Sequence, residues 1–262
     1  MKRVMNIWTL TLVLAVIDDR NAGSCQSLSS AESSHVIQIG QTQPNGKIEY
    51  NCGGSYLGSA MVVFGAHCAN MNGRQPDIVR FGSTLANGIN VRIANITIHY
   101  RYKPQFDYHN MAVAQLERNP QSISAAIKPA CIMKPHLKSN TPVQLIGPIK
   151  DRLERTSLLA VGSEKCHEYY NPNRKLRFGV LLCCFCARST NSSPCTTQHS
   201  SPLQIIRKQS GKEVPFLIGH KSVGKSCGTV TPAVYTRYGS YFEWLETVTG
   251  LKFAEKECFA RY

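Results

Sequence analysis

The side chains best suited to chemistry fall in three places. His67 lies in the run Val62-Val63-Phe64-Gly65-Ala66-His67-Cys68. His199 lies in Cys195-Thr196-Thr197-Gln198-His199-Ser200-Ser201-Pro202-Leu203, with hydroxyls on both sides. Cys183, Cys184 and Cys186 form a third group. An imidazole titrates near neutral pH, so it can move a proton or ligate a metal. Brought together, His67 and His199 could hold a metal ion or activate a water. No carboxylate partner for such a pair is evident, so no metal and no cofactor is expected there. Cys183, Cys184, Cys186 and Cys195 have zinc-ligand chemistry in outline.

Short β-type runs must position these groups. Candidate strands are residues 36–39, 48–50, 61–64, 78–81, 91–98 and 111–116. After a connector at 118–129 come 143–146, 157–161, 180–182, 203–206, 214–218 and 233–237. Pro44-Asn45-Gly46 separates the first two with turn chemistry, because proline presets φ and Asn-Gly tolerates positive φ. Many short strands at turn-length spacing predict an all-β barrel or sandwich. One helix is expected near the end: Ser240 and Glu243 read as a capping box, Tyr241, Phe242, Leu245 and Val248 recur at helical spacing, and Gly250 suits a helix C-terminus.

The chain has 262 residues, enough for a substantial core, and a formal charge of +14. Lys2 and Arg3 precede a ten-residue, largely apolar stretch at 7–16, and small residues follow at Ala22, Gly23 and Ser24. Residues 1–23 are therefore expected to be a secretory signal, too short to span a bilayer, and no other run approaches membrane-spanning length. Eleven cysteines and the sequons at Asn95 and Asn191 agree with a secreted, extracellular, disulfide-bonded glycoprotein. Residues 24–34 read as a small, polar lead-in. The positive charge favours anionic partners such as acidic glycans or microbial surfaces. Nucleic acid is not expected, because the charge is dispersed and no binding motif is present.

Taken in order, several blocks resemble the chymotrypsin/trypsin-like serine protease family over residues 35–250, with 251–262 left as a tail. Cys52-Gly53-Gly54-Ser55-Tyr56-Leu57 is similar to the family's C-G-G-S-L-I, and the His67 block to V-L-T-A-A-H-C. Tyr108-His109-Asn110-Met111-Ala112-Val113 is similar to Y-x-D-I-A-L, and Lys128-Pro129-Ala130-Cys131-Ile132 to K-P-A-C-L. Ser226-Cys227-Gly228 and Pro232-Ala233-Val234-Tyr235-Thr236-Arg237 resemble S-C-G and P-G-V-Y-T-R, and the Cys195 block aligns with C-x-G-D-S-G-G-P-L. Stretches around 42–47 and 76–82 look closest to arthropod haemolymph proteases of the snake/easter type and their non-catalytic homologues. The implied fold is two packed six-stranded antiparallel β barrels with a C-terminal α-helix and the site in the cleft between them.

The resemblance also implies a triad: a serine attacks a carbonyl, a histidine takes its proton, and an aspartate orients and steadies the histidine. It puts His67 at the histidine, Asn110 at the aspartate and His199 at the serine. Thr197 falls where a glycine N–H helps hold the oxyanion, and Ser200 and Ser201 fall on glycines, so their hydroxyls should point elsewhere. Asparagine in place of the aspartate alone costs about 10⁴ in turnover. Gln198 replaces the acid that receives the newly cut amine of activated family members; that terminus would fall near Ala22, and no I-V-G-G sequence exists. Ser193 stands where trypsin-like enzymes keep the acid of a basic-specificity pocket.

Further implied are disulfides Cys52–Cys68 and Cys195–Cys227, the second a better account of Cys195 than zinc. Cys166 should pair with one of Cys183, Cys184 and Cys186, for which Cys184 stands here, and Cys131 with Cys25. Cys258 has no assigned partner.

The function expected is that of a catalytically inactive homologue. It would bind proteases, zymogens or inhibitors as a cofactor or regulator in an extracellular cascade such as melanisation or innate immunity. Two alternatives remain: a residual serine-type endopeptidase, or a basic anion- or glycan-binding module built on Lys134, Lys138, Lys150, Arg152 and Arg155, on Arg174, Lys175 and Arg177, and on Arg207, Lys208 and Lys212.

Overall fold

A computed structural model describes residues 28–82, 88–149, 152–189, 196–224 and 231–262. The first half is a closed barrel of strands β1 (Val36–Thr42), β2 (Ile48–Gly58), β3 (Met61–Phe64), β4 (Ile78–Phe81), β5 (Ile89–Ile98) and β6 (Ala112–Leu116), in the order β1-β2-β3-β6-β5-β4. The β1–β2 hairpin turns at Pro44-Asn45-Gly46, where Gly46 takes φ +80° and Gln43 N–H donates to Lys47 O at 2.7 Å.

The second half contains β7 (Cys131–Ile132), β8 (Pro142–Ile149), β9 (Arg152–Val161), β10 (Cys184–Ser189), β11 (Pro202–Gln209), β12 (Lys212–Val223) and β13 (Ala233–Arg237). Its order is β11-β8-β9-β10-β13-β12-β7, and β11 also pairs with β12. Six strands thereby close a second ring, and β7 joins β12 in parallel at Phe216 and Leu217. The length of β12 makes this closure: residues 212–220 face β11 while 219–223 turn to β13.

The inter-barrel strands explain why their sequences read as unbroken apolar runs. Side chains alternate faces along a strand. In β3, Val62 and Phe64 enter the first barrel's core, whereas Val63 joins the second barrel's core. In and before β6, Ala112, Ala114 and Leu116 point into the first core, and Met111 and Val113 into the second. Both faces are buried along Val62–Phe64 and Met111–Ala114, and Gln115 of β6 is the one exposed polar side chain in the two strands. The loops holding His67 and Asn110 leave from the ends of these two strands and are anchored from both sides.

Four expectations need correction. No strand forms at 180–182: Leu181 and Leu182 are exposed, and the strand begins at Cys184, which pairs with Thr236 of β13, with Cys186 then pairing with Val161 of β9. The helix α3 (Phe242–Thr249) ends at Gly250 in the left-handed region, φ +67°, but has no capping box. Ser240 is drawn away, its hydroxyl donating to Leu182 O at 3.0 Å, and a 3₁₀ turn at Tyr238–Tyr241 leads into the helix. Cys131 is bridged to Cys258, not to Cys25, because the stretch taken as a tail forms a further helix, α4 (Glu255–Ala260), which seats Cys258 in the second core. Cys166 is bridged to Cys186 rather than Cys184: the two share one face of β10, but Cys186 is the one paired with Val161, at the end of β9 just before α2 (Ser163–Tyr169), and Cys183 and Cys184 are left unbridged.

The lead-in ends in a short helix, α1 (Ser30–Ser33), capped by Ser29 and Glu32, whose carboxylate is also ion-paired with Arg155.

Candidate functional site

The cleft between the barrels brings His67, Asn110 and His199 together. Asn110 is fully buried and is read three ways. Its Oδ1 accepts from the His67 backbone N–H at 3.0 Å and lies 2.9 Å from His67 Nδ1, while its Nδ2 donates to Ser222 Oγ at 2.8 Å. An amide oxygen can only accept, so His67 Nδ1 carries the proton and Nε2 carries the lone pair. That Nε2 is buried and has no hydrogen-bond partner among the described residues. Facing it is a second imidazole: the His199 ring lies 5.4 Å away, nearly edge-on at 73°.

No hydroxyl next to His199 is turned to His67. Ser200 is buried, and its Oγ accepts from Gly65 N–H at 2.7 Å. Ser201 Oγ donates to Gln198 O at 3.1 Å. Ser200 also sits at φ +58°, a left-handed conformation that costs a side-chain-bearing residue about 1 kcal/mol or more. Neighbouring backbone holds it there: Ser200 N–H donates to Lys221 O, Lys221 N–H donates to Ser201 O, and Gly53 N–H donates to His199 O, at 3.0, 3.0 and 2.8 Å.

Two glycines admit this packing. A Cβ on Gly65 would lie 2.7 Å from His67 Cε1 and 3.0 Å from His220 Nε2. A Cβ on Gly53 would lie 3.0 Å from Gln198 Oε1. Gln198 thus folds back over the first barrel.

The electrostatics are those of a site without an anion. Burial lowers the pKa of His67 to about 4; the hydrogen bond to Asn110 opposes this, and His199 and Lys175 add to it. His199 is lowered by burial, then by Lys221 and Lys175. His220, behind His67 and bonded to Tyr238 OH at 3.1 Å, falls to about 3 by burial and then by His67. Lys221 is itself buried, its Nζ donating to Thr196 O at 3.5 Å and Thr197 O at 3.4 Å, and burial lowers its pKa. Beside His199 a cavity of about 600 Å³ opens among Gln38, Tyr50, Asn51, Arg80, Pro148, Thr197 and Gln198. Arg80 is the one charged residue in that lining, and it lies over the Tyr50 ring at 4.4 Å.

His67 also lies close to Cys52 and Cys68, the one group of potential metal ligands among the described residues. Those sulfurs are bonded to each other, so they offer no thiolate.

Arg152, Arg155, Arg207 and Lys208 each face a carboxylate, respectively Glu154, Glu32, Glu255 and Glu213. Lys175, by contrast, acts on both cleft histidines. Asn95 is exposed on β5. Cys25, Cys195, Cys227, Ser193, Asn191, Lys150 and the expected signal lie outside the described residues. No helix among the described residues is long and apolar enough to cross a membrane. Sequence reasoning missed Ser222, His220 and Lys221, because none lies in a chemistry-bearing motif; their spacing along β12 becomes meaningful only once that strand is known to line the cleft.

The profile of the trypsin family matches residues 26–245. Serine protease snk of Drosophila melanogaster is 30% identical over 234 residues, 82% of this chain and 53% of that protein. CLIP domain-containing serine protease C9 of Anopheles gambiae is 25% identical over 243 residues, 83% of this chain and 65% of that protein. This chain spans less than two thirds of the length of either. Among solved structures, the Grass clip serine protease of the Drosophila Toll pathway superposes with a TM-score of 0.70 and 19% identity, over 89% of this chain and 76% of that one. At that identity the likeness is one of fold.

Proposed function

The chain belongs to the trypsin family, and on that premise we propose that it is a secreted homologue that binds a protein partner without cutting it, regulating an extracellular protease cascade. One observation carries this reading: His67 Nε2, the atom that would take a proton, has no hydrogen-bond partner among the described residues, and the neighbouring ring belongs to His199. A base with no hydroxyl to deprotonate starts no acyl transfer. Asn110 orients the ring but supplies no negative charge to an imidazolium, and a pKa of about 4 makes His67 a weak base at neutral pH.

The cleft still has what binding needs. The cavity beside His199 is open and polar, and Lys175 and Lys221 make its surroundings positive. An acidic stretch of a partner protein suits it. The likeness to Serine protease snk and to a protease whose name places it in the CLIP group supports a partner among cascade proteases, their zymogens or their inhibitors. The carboxylates that occupy Arg152, Arg155, Arg207 and Lys208 count against a broad glycan-binding face.

The test has two arms. Purified protein is incubated with a broad peptide library and a fluorophosphonate probe, and neither turnover nor labelling is expected. Turnover that disappears in His67→Ala would refute the non-catalytic reading. The protein is then added to a purified CLIP-domain zymogen and its activator. A several-fold change in activation rate is expected, lost when His199→Trp fills the cleft; an unchanged rate at saturating protein refutes the regulatory role.

A further inference from the structure

Cys183 and Cys184 are adjacent in sequence and unbridged, with their sulfurs 3.5 Å apart. Their backbone is tightly held. Arg237 donates from Nε to Leu182 O at 3.1 Å, from Nη2 to Cys184 O at 3.1 Å, and from its backbone N–H to Cys183 O at 2.9 Å. The Ser240 hydroxyl shares Leu182 O, and Cys184 N–H donates to Leu181 O at 2.9 Å. The guanidinium lies over the Phe185 ring at 4.9 Å. Three successive carbonyls are therefore fixed by one side chain and its own backbone, so the meeting of the two sulfurs is a property of the fold.

The two thiols differ in surroundings. Cys183 is half-buried, whereas Cys184 is buried. The Cys184 thiol, in hydrogen-bond contact with Cys183, draws the Cys183 pKa down against the effect of burial, and the neighbouring His109 backbone and Tyr241 hydroxyl add to the lowering, while Cys184 is pushed up by that contact and by burial. His109 is held at φ +54°, a backbone state rare for a residue with a side chain. A thiolate-holding position at the surface is thus backed by a protonated thiol beneath it. Thiolate character and access are what make a cysteine reactive.

We propose that Cys183 and Cys184 form a thiol–disulfide exchange site that reacts with a low-molecular-weight disulfide such as oxidised glutathione and closes to a disulfide between the two neighbours. In the first step the Cys183 thiolate attacks one sulfur of the small disulfide, forming a mixed disulfide and releasing one small thiolate. In the second, Cys184 loses its proton to solvent and attacks the Cys183 sulfur, expelling the second small thiolate. Both leaving thiolates take up protons. Two protein thiols are oxidised and one small disulfide is reduced to two thiols, with no other reactant. The proposal does not rest on what the cleft binds.

The test uses the full chain with its other bridges intact, treated with oxidised glutathione and followed by intact mass, peptide mapping and thiol titration. Wild type should lose two thiols per molecule and retain no glutathione. Cys184→Ser should react at a similar initial rate but keep one glutathione on Cys183. Cys183→Ser should react about tenfold more slowly, because the remaining thiol is buried and protonated. Tyr241→Phe keeps both sulfurs and should slow the first step about threefold by removing one donor. In urea the two serine variants should react at equal rates. Retention of glutathione by wild type, equal rates for the two serine variants in the native state, or no reaction of wild type would each overturn the proposal.

Discussion

Acid should unfold this protein well above the carboxylate range. His35, His67 and His220 are neutral rings in the fold, with pKa values lowered to about 4, 4 and 3, burial being the largest cause for each. Gln204 partly offsets the shift for His35, as Asn110 does for His67. In the unfolded chain all three titrate near 6.5. Between pH 6.5 and 4 the unfolded state therefore binds more protons. The stability these groups contribute is complete above pH 6.5 and is lost as pH falls toward 4. At pH 5.5 unfolding takes up about 2.7 protons, a slope of about 3.6 kcal/mol per pH unit; integrated from pH 7 to 5 the loss is about 5.6 kcal/mol. His99, stacked against the rings of Tyr100 and His109, is lowered as well and adds in the same direction. Stabilities of folded proteins are only about 5–15 kcal/mol, so this loss should be plain in urea-unfolding curves taken every half unit from pH 7 to 5. His35→Gln should reduce the slope by about a third. A free energy flat to within about 1 kcal/mol over that range, or a slope unmoved in His35→Gln, would refute the reasoning.

Gly65→Ala should destabilise by about 1–3 kcal/mol, because the new methyl meets the His67 and His220 rings, both fixed by hydrogen bonds; thermal denaturation measures it. Cys258→Ser opens a bridge spanning 127 residues, which in the chain-entropy account is worth about 5 kcal/mol, and denaturant midpoints should fall accordingly. His199→Ser alone should not raise fluorophosphonate labelling. Adding Asn110→Asp should raise it at least about tenfold, though well short of the ~10⁴ that the acid carries in an intact triad. The shortfall follows from Gln198, which lies over Gly53 with no carboxylate to brace the loop. Labelling by His199→Ser alone at the rate of the double variant would contradict the role given to Asn110.

The sequence by itself determined most of the strands, the closing helix and the residue types at the reacting positions. The apolar runs of β3 and β6, the Pro44-Asn45-Gly46 turn and the positive-φ stop at Gly250 are local properties, written within a few residues of where they act. So are the identities of His67, Asn110 and His199, which establish that no serine and no aspartate stand at those three positions whatever the packing. The tertiary structure alone decided where hydroxyls and thiols point. Ser200 is turned to Gly65, 135 residues away, and Cys258 reaches Cys131 across 127 residues. Cys186, not Cys184, meets Cys166, because β10 takes its register from β9 and β13. Each of these outcomes rests on which strand edges are free when the second barrel closes. That is a non-local condition, set by β12 serving β11, β13 and β7 at once, and no short window of sequence contains it.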